Sequence, residues 1–262
     1  MAGAGADRDG AAAAPVTAAI LLIGDELLSG KVADENARFL IGELRELGVA
    51  LRRVVIIPDD LATIAREVRA LSDAHTHVIT SGGVGPTHDD LTMAGVAAAF
   101  DMKLQRHPRL EALLRMYYGS TGKPAADWER NLVMADVPEG VELDAGDVLP
   151  WPVTRVKNVI VMPGVPIILQ KKWSAIRESF RQAPWLNAAV YVNVDEGPLA
   201  PHLDRVVAEH PRVACGSYPR FDAAADYKVK VTLESKDAAA LAAARAALLG
   251  WLPAGWILRV EP

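Results

Sequence analysis

Thr80-Ser81-Gly82-Gly83-Val84-Gly85-Pro86-Thr87-His88-Asp89-Asp90-Leu91-Thr92 follows a short β-branched run at 76–80 and leads into an apolar helical stretch at 91–100. Three glycines after a strand let the backbone approach a ligand closely and turn its N–H groups inward, an arrangement suited to phosphate. The hydroxyls of Ser81, Thr87 and Thr92 add donors, and the positive end of the following helix favours an anion. Gly82, Gly83 and Gly85 together with these three hydroxyls form the expected phosphate-binding set.

Asp89 and Asp90 sit beside that set. Carboxylates next to bound phosphate repel it unless a cation intervenes, and a hard divalent ion such as Mg, Mn or Co removes the conflict. A second possibility is a carboxylate accepting hydrogen bonds from a pterin or purine ring. A third is that one of the two acids caps the helix. Asp89 and Asp90 are therefore candidate catalytic and metal-binding residues, and His88 is a candidate ligand or a bystander.

The chain on either side of this loop alternates strand and helix. Residues 17–23 are a short apolar run, 36–47 carry apolar side chains at helical spacing, 49–57 are β-branched, and 61–71 are again helical. That alternation points to a parallel sheet covered on both faces, with the glycine loop at the carboxyl ends of the strands, where such folds bind ligands. The first strand empties into Gly24-Asp25-Glu26-Leu27-Leu28-Ser29-Gly30, followed by Asp34 and Asn36, a second wall for the same pocket. Asp59 and Asp60 follow the next strand, either lining the pocket or capping the helix. A single strand is expected at 156–161, ending at Pro163-Gly164-Val165-Pro166 as a cleft floor, then a helix at 167–180; 128–133 is expected to be helical and 137–152 turn-rich. The remainder reads β-α-β-β-α-β, the split-βαβ order. The expected fold class is thus α/β, a three-layer α/β/α sandwich with a mainly parallel sheet over 16–183 and a small split-βαβ accessory domain over 184–262, preceded by a disordered tail at 1–15.

The 262 residues carry 28 Lys plus Arg against 33 Asp plus Glu, a formal net charge of -5. A mildly acidic chain is a poor general polyanion binder, and no nucleic-acid partner is expected. Cys215, the single cysteine, leaves no intramolecular disulfide and suits a reducing, cytoplasmic setting. No apolar run approaches the roughly 20 residues of a membrane-spanning helix. Neither a Walker lysine motif nor a dinucleotide GxGxxG is present, which argues against ordinary ATPase and dehydrogenase chemistry.

The segment from Ser81 to Thr92 strongly resembles the signature of the molybdopterin-binding-like domain, found in molybdenum-cofactor biosynthesis proteins and in the N-terminal part of CinA proteins. The segment from Gly24 to Gly30, with Asp34 and Asn36, resembles that group's first motif, and Pro163-Gly164-Val165-Pro166 its late motif. Trp151-Pro152, Gly216-Ser217-Tyr218-Pro219 and the run from Tyr227 to Leu233 extend the similarity, over most of the chain, to the N-terminal domain of eukaryotic FAD synthase. The resemblance implies a sandwich followed by a small α/β domain. It implies either metal-dependent hydrolysis of a nucleotide pyrophosphate such as FAD or ADP-ribose, or binding or adenylylation of molybdopterin. In the first case Asp25, Asp89 and Asp90 would arrange a divalent metal and a water. A non-catalytic nucleotide-sensing module is the third class, and a homo-oligomer is in keeping with such a domain. The chain departs from the CinA-like pattern at Ile167-Ile168, where that pattern continues with an acid.

Overall fold

Ala18, Ala19, Ile20, Leu21, Leu22 and Ile23 offer no polar side chain, so the strand they form, β1 (Thr17–Ile23), belongs in the middle of a sheet covered on both faces. In the computed structural model, which describes residues 15–222 and 226–262, all six are at most 1% exposed. The tail expected at 1–15 lies outside the described residues except for Pro15. The chain divides into two units, Met1–Gln182 and Ala183–Pro262.

In the first unit β1 is followed by a single helical turn α1 (Asp25–Leu28), then α2 (Asn36–Glu46), β2 (Ala50–Ile57), α3 (Leu61–Ala74), β3 (His77–Ser81) and α4 (Thr92–Ala99). Gly48 ends α2 with a φ of 72°, a conformation that costs glycine little. Asp60 caps α3 by accepting the Thr63 N–H at 2.8 Å. The chain continues through β4 (Leu104–Arg106), α5 (Pro108–Gly119), β5 (Asp136–Pro138), β6 (Glu142–Asp144), β7 (Val153–Val156), β8 (Val159–Met162) and α6 (Pro166–Ile176). The six-stranded sheet runs β2-β1-β3-β8-β7-β6. The first four strands are parallel, and β7 and β6 add an antiparallel margin. Leu40 and Leu44 of α2 pack one face together with Leu169 and Trp173 of α6. Ile64, Val68 and Leu71 of α3 pack the other with Val96 of α4. Each such buried side chain stabilises the fold by roughly 1.5–3 kcal/mol.

Two expectations are corrected. The strand expected at 156–161 is the hairpin β7–β8, turned at Lys157 with a φ of 53°. The Asn158 amide fixes that turn by donating to the carbonyls of Ser72 and His75 at 2.9 and 2.8 Å. The stretch at 137–152 is turn-rich as expected, and it also carries the end of β5, which pairs with the distant β4, and β6, which pairs with β7. The helices expected at 128–133 and 167–180 are tighter: Glu129–Ala135 is a 3-10 segment, and α6 passes into another at Arg177–Phe180.

The second unit contains β9 (Leu186–Val192), α7 (Glu196–Glu209), β10 (Ala214–Pro219), β11 (Val229–Ser235), α8 (Ala238–Trp251) and β12 (Ile257–Glu261). Its sheet runs β10-β11-β9-β12 with every pairing antiparallel. Leu199, Val206, Leu241 and Leu248 from the two helices close over Val190 and Val231. Cys215 packs against this core, and burial pushes its thiol pKa up. Among the described residues no helix is long and apolar enough to cross a membrane.

Candidate functional site

Successive crossovers carry the chain from β1 to β2 on one side and then back over β1 to β3 on the other. The strand order therefore reverses at the β1/β3 boundary, and a crevice opens at the carboxyl ends of those two strands. The glycine-rich loop leaves β3 there. Gly82 crosses the end of β1 so closely that a Cβ on it would lie 2.1 Å from the Ile23 carbonyl oxygen, and its φ is 106°. Gly83 follows with a φ of 62°. Only glycine holds two such positions in succession without strain.

The hydroxyls and N–H groups of the loop divide into two sets. The Gly82 N–H donates to the Met162 carbonyl at 3.2 Å. The Thr92 hydroxyl, fully buried, donates to the Gly82 carbonyl at 2.8 Å, while the Thr92 N–H donates to the Gly83 carbonyl. Ser81, 3% exposed, accepts from the Asn36 amide and donates to the Pro163 carbonyl at 3.3 Å. In this conformation Ser81, Gly82 and Thr92 brace the loop instead of facing a ligand. The backbone N–H groups of Gly83, Val84 and Gly85 meet no acceptor among the described residues, and they are the donors that remain for an anion.

The two adjacent acids have different settings. Asp90 lies against Gly85 and accepts both the N–H and the hydroxyl of Thr87, closing the loop on itself. Asp89 stands in solvent with His88 Nδ1 at 3.8 Å. Hydrogen bonding to Thr87, then to its own backbone, holds its carboxyl below the ordinary range.

Of the first-strand motif, the Asp25 N–H donates to the Asp59 carboxylate at 2.9 Å, which ties the ends of β1 and β2. Burial first of all pushes the Asp59 carboxyl up, and the charges of Asp25, Glu26 and Asp89 push it further, against the lowering effect of that hydrogen bond. Asp25, Glu26, Asp59 and Asp89 thus share one acidic rim. Among the described residues no group of three or more His, Cys, Asp or Glu side chains forms a metal cage by itself. Gly24 donates to the Ile57 carbonyl, and Gly30 turns the chain with a φ of 71°. Asp34 accepts the N–H groups of Asn36 and Ala37, capping α2. Asn36, 6% exposed, donates its amide to Ser81 Oγ at 2.9 Å and to the Gly164 carbonyl at 2.7 Å. Gly164 in turn approaches the Gly82 Cα so closely that an added Cβ would stand 3.3 Å away. Pro163 and Gly164 therefore form the back of the site through their carbonyls.

Beside the loop opens a cleft of about 370 Å³, lined by Gly83, Gly85 and Thr87 on one side and by the paired strands β4 and β5 and the 3-10 segment on the other. None of Asp25, Glu26, Asp59 or Asp89 lines it. Its far wall, which includes Leu104, Arg106, Val133, Met134 and Asp136, escapes sequence reading because β4 and β5 are three residues each, too short for an alternating pattern.

Comparison with known proteins agrees with this fold. Residues 19–181 match the family model described as probable molybdopterin binding domain, and residues 184–261 match the FAD synthase middle domain. An Archaeoglobus fulgidus protein is 35% identical over 77% of this chain and 85% of its own length. A probable FAD synthase of Caenorhabditis elegans is 34% identical over 84% of this chain but only 47% of itself, so the chain spans about half the length of that relative. The crystal structure of CinA from Thermoplasma acidophilum, titled as of unknown function, is 28% identical and superposes with a TM-score of 0.56 over 63% of this chain and 98% of that one. The chain belongs to the family of probable molybdopterin binding domains, with a CinA-like first unit and a second unit related to the middle domain of FAD synthase.

Proposed function

We propose that the first unit binds a phosphate-bearing pterin of the molybdopterin type, or a nucleotide of similar build, at the carboxyl ends of β1 and β3. The observation that supports this reading is the glycine loop, whose N–H groups at Gly83, Val84 and Gly85 are without acceptors among the described residues beside a cleft of ligand size. The family's description points to the same ligand class. An enzymatic role such as adenylyl transfer belongs to this reading: a loop that grips phosphate also stabilises charge that develops on it.

A second reading, metal-dependent hydrolysis of a dinucleotide pyrophosphate such as FAD or ADP-ribose, is favoured by the acidic rim. Asp25, Glu26 and Asp89 stand near enough to Asp59 to repel it; a divalent cation would relieve that crowding, and Asp25 and Asp59 would hold one with oxygens from the ligand completing its shell. Such an ion would polarise a phosphoryl oxygen. A module that senses a nucleotide without turnover remains the third class.

Calorimetric titration with molybdopterin, FAD and ADP-ribose, followed by product analysis with Mg, Mn or Co, tests the readings together. Saturable binding that is weakened by Thr87→Ala supports the first. Metal-dependent release of AMP, lost in Asp25→Asn, supports the second. No binding of any phosphate-bearing compound would overturn both.

A further inference from the structure

We infer that the cleft beside the glycine loop is a subsite for a flat heteroaromatic ring bearing carbonyl acceptors, and that Arg106 selects those carbonyls; this rests on the proposed phosphate-binding role of the loop. The cleft, about 370 Å³, is near the lower end of the ~300–1,000 Å³ range of ligand sites. Its lining is mixed: Met93 from α4, Leu104 from β4, and Val133 and Met134 from the 3-10 segment supply apolar surface, and Thr87, Asp90, Gln105, Arg106 and Asp136 supply polar groups. Leu104 and Val133 are 43% and 44% exposed, a large apolar surface to leave in water along one wall of a slot. Thioethers such as those of Met93 and Met134 adapt to ring faces.

One charged pair stands in this apolar wall. Arg106 and Asp136 face each other directly across the β4–β5 pairing. The guanidinium donates through Nε and Nη2 to the two oxygens of the carboxylate. That fork holds Arg106 in place and leaves three of its five N–H donors for another acceptor. It also occupies Asp136, the carboxylate that would otherwise receive the amino groups of a ring. Asp90, the other carboxylate of the lining, likewise receives the N–H and hydroxyl of Thr87, so the charged groups of the cleft present the Arg106 donors to the edge of its ligand. Oxo-rings such as the pterin or the isoalloxazine system supply carbonyl acceptors to match, and adenine, which has none, matches less well. With the phosphate on the N–H groups of Gly83 and Gly85, the ring of the same molecule would lie in the slot that these glycines border.

The test uses the full chain and separates ring from phosphate. Riboflavin and neopterin serve as phosphate-free probes, adenosine as the carbonyl-free control and inorganic pyrophosphate as the ring-free control. Binding is followed by fluorescence for the first two and by calorimetry for the others. Riboflavin or neopterin is expected to bind at least tenfold more tightly than adenosine. Leu104→Asp and Val133→Asp, both at half-exposed positions that tolerate change, should weaken that binding at least tenfold. Arg106→Met should bring the oxo-rings down to the level of adenosine. All three variants should keep pyrophosphate affinity within about twofold of the parent chain. Pyrophosphate binding without ring binding, or ring affinity unchanged in all three variants, would overturn the subsite. Ring binding without pyrophosphate binding would leave the subsite standing and remove the phosphate role of the loop.

Discussion

Gly82 and Ile23 are in backbone contact: no side chain fits between the Gly82 Cα and the Ile23 carbonyl oxygen, which an added Cβ would approach to 2.1 Å. This contact places the loop after β3 over the end of β1, and so forms the crevice. Gly82→Ala meets both a backbone clash and a φ of 106°. It should cost about 3–5 kcal/mol in urea denaturation. Gly42→Ala, where an added Cβ has open space around it, should be neutral or slightly stabilising.

Asn36 links α2 to the loops after β3 and β8 through one amide, donating to Ser81 Oγ and to the Gly164 carbonyl. The Gly164 carbonyl also fixes the orientation of that amide, since only Nδ2 can face it. Its Oδ1 is buried without a partner among the described residues. Asn36→Ala removes both donors and leaves buried acceptors unmet, so a loss of about 2–4 kcal/mol is expected from chemical denaturation. Asn36→Asp should be worse above the carboxylate pKa, because it sets a negative charge against the Gly164 carbonyl.

Asp89 and Asp90 should separate cleanly. Asp90→Asn weakens the brace to Thr87, and a drop of about 1–2 kcal/mol in stability should accompany weaker pyrophosphate binding. Asp89 is exposed on the rim, so Asp89→Asn should leave stability within about 0.5 kcal/mol. If Asp89 serves a metal, that variant should raise only the metal concentration needed for half-maximal effect. Equal effects of the two changes on stability would contradict the assignment.

Lys172 is a buried cation that meets no carboxylate among the described residues: its Nζ donates to the carbonyls of Trp151 and Pro152, both at 2.7 Å. Burial pulls its pKa down to about 8, against roughly 10.4 in an unfolded chain. Between those values the unfolded state binds more protons than the folded one, so Lys172 makes stability rise as pH increases from about 8 to 10.4. The full contribution is about 3 kcal/mol. Below pH 8 both states are protonated and the burial penalty is constant. Thermal denaturation across this range should show the rise relative to Lys172→Met, whose profile lacks it.

The order of strands and helices around β1 to β3 was legible because a buried parallel strand must be apolar throughout, as 18–23 are, and because glycine clusters mark turns of forbidden backbone geometry. The motif residues were legible for the same reason: Gly82 and Gly83 stand where no other residue fits. What each neighbour does was not legible. Asp59 and Asp60 look alike in the chain, yet Asp60 caps α3 and Asp59 joins the rim beside Asp25. Ser81 and Thr92 look like ligand donors, but their partners are carbonyls of Pro163 and Gly82. The cleft wall at Leu104, Arg106 and Asp136 was invisible for a stronger reason. Arg106 and Asp136 lie 30 residues apart and meet only because two three-residue strands pair. Local sequence determines which backbone conformations are allowed and which faces must be buried. Tertiary structure decides which polar group meets which, because a hydrogen bond depends on distances that pairing and packing set.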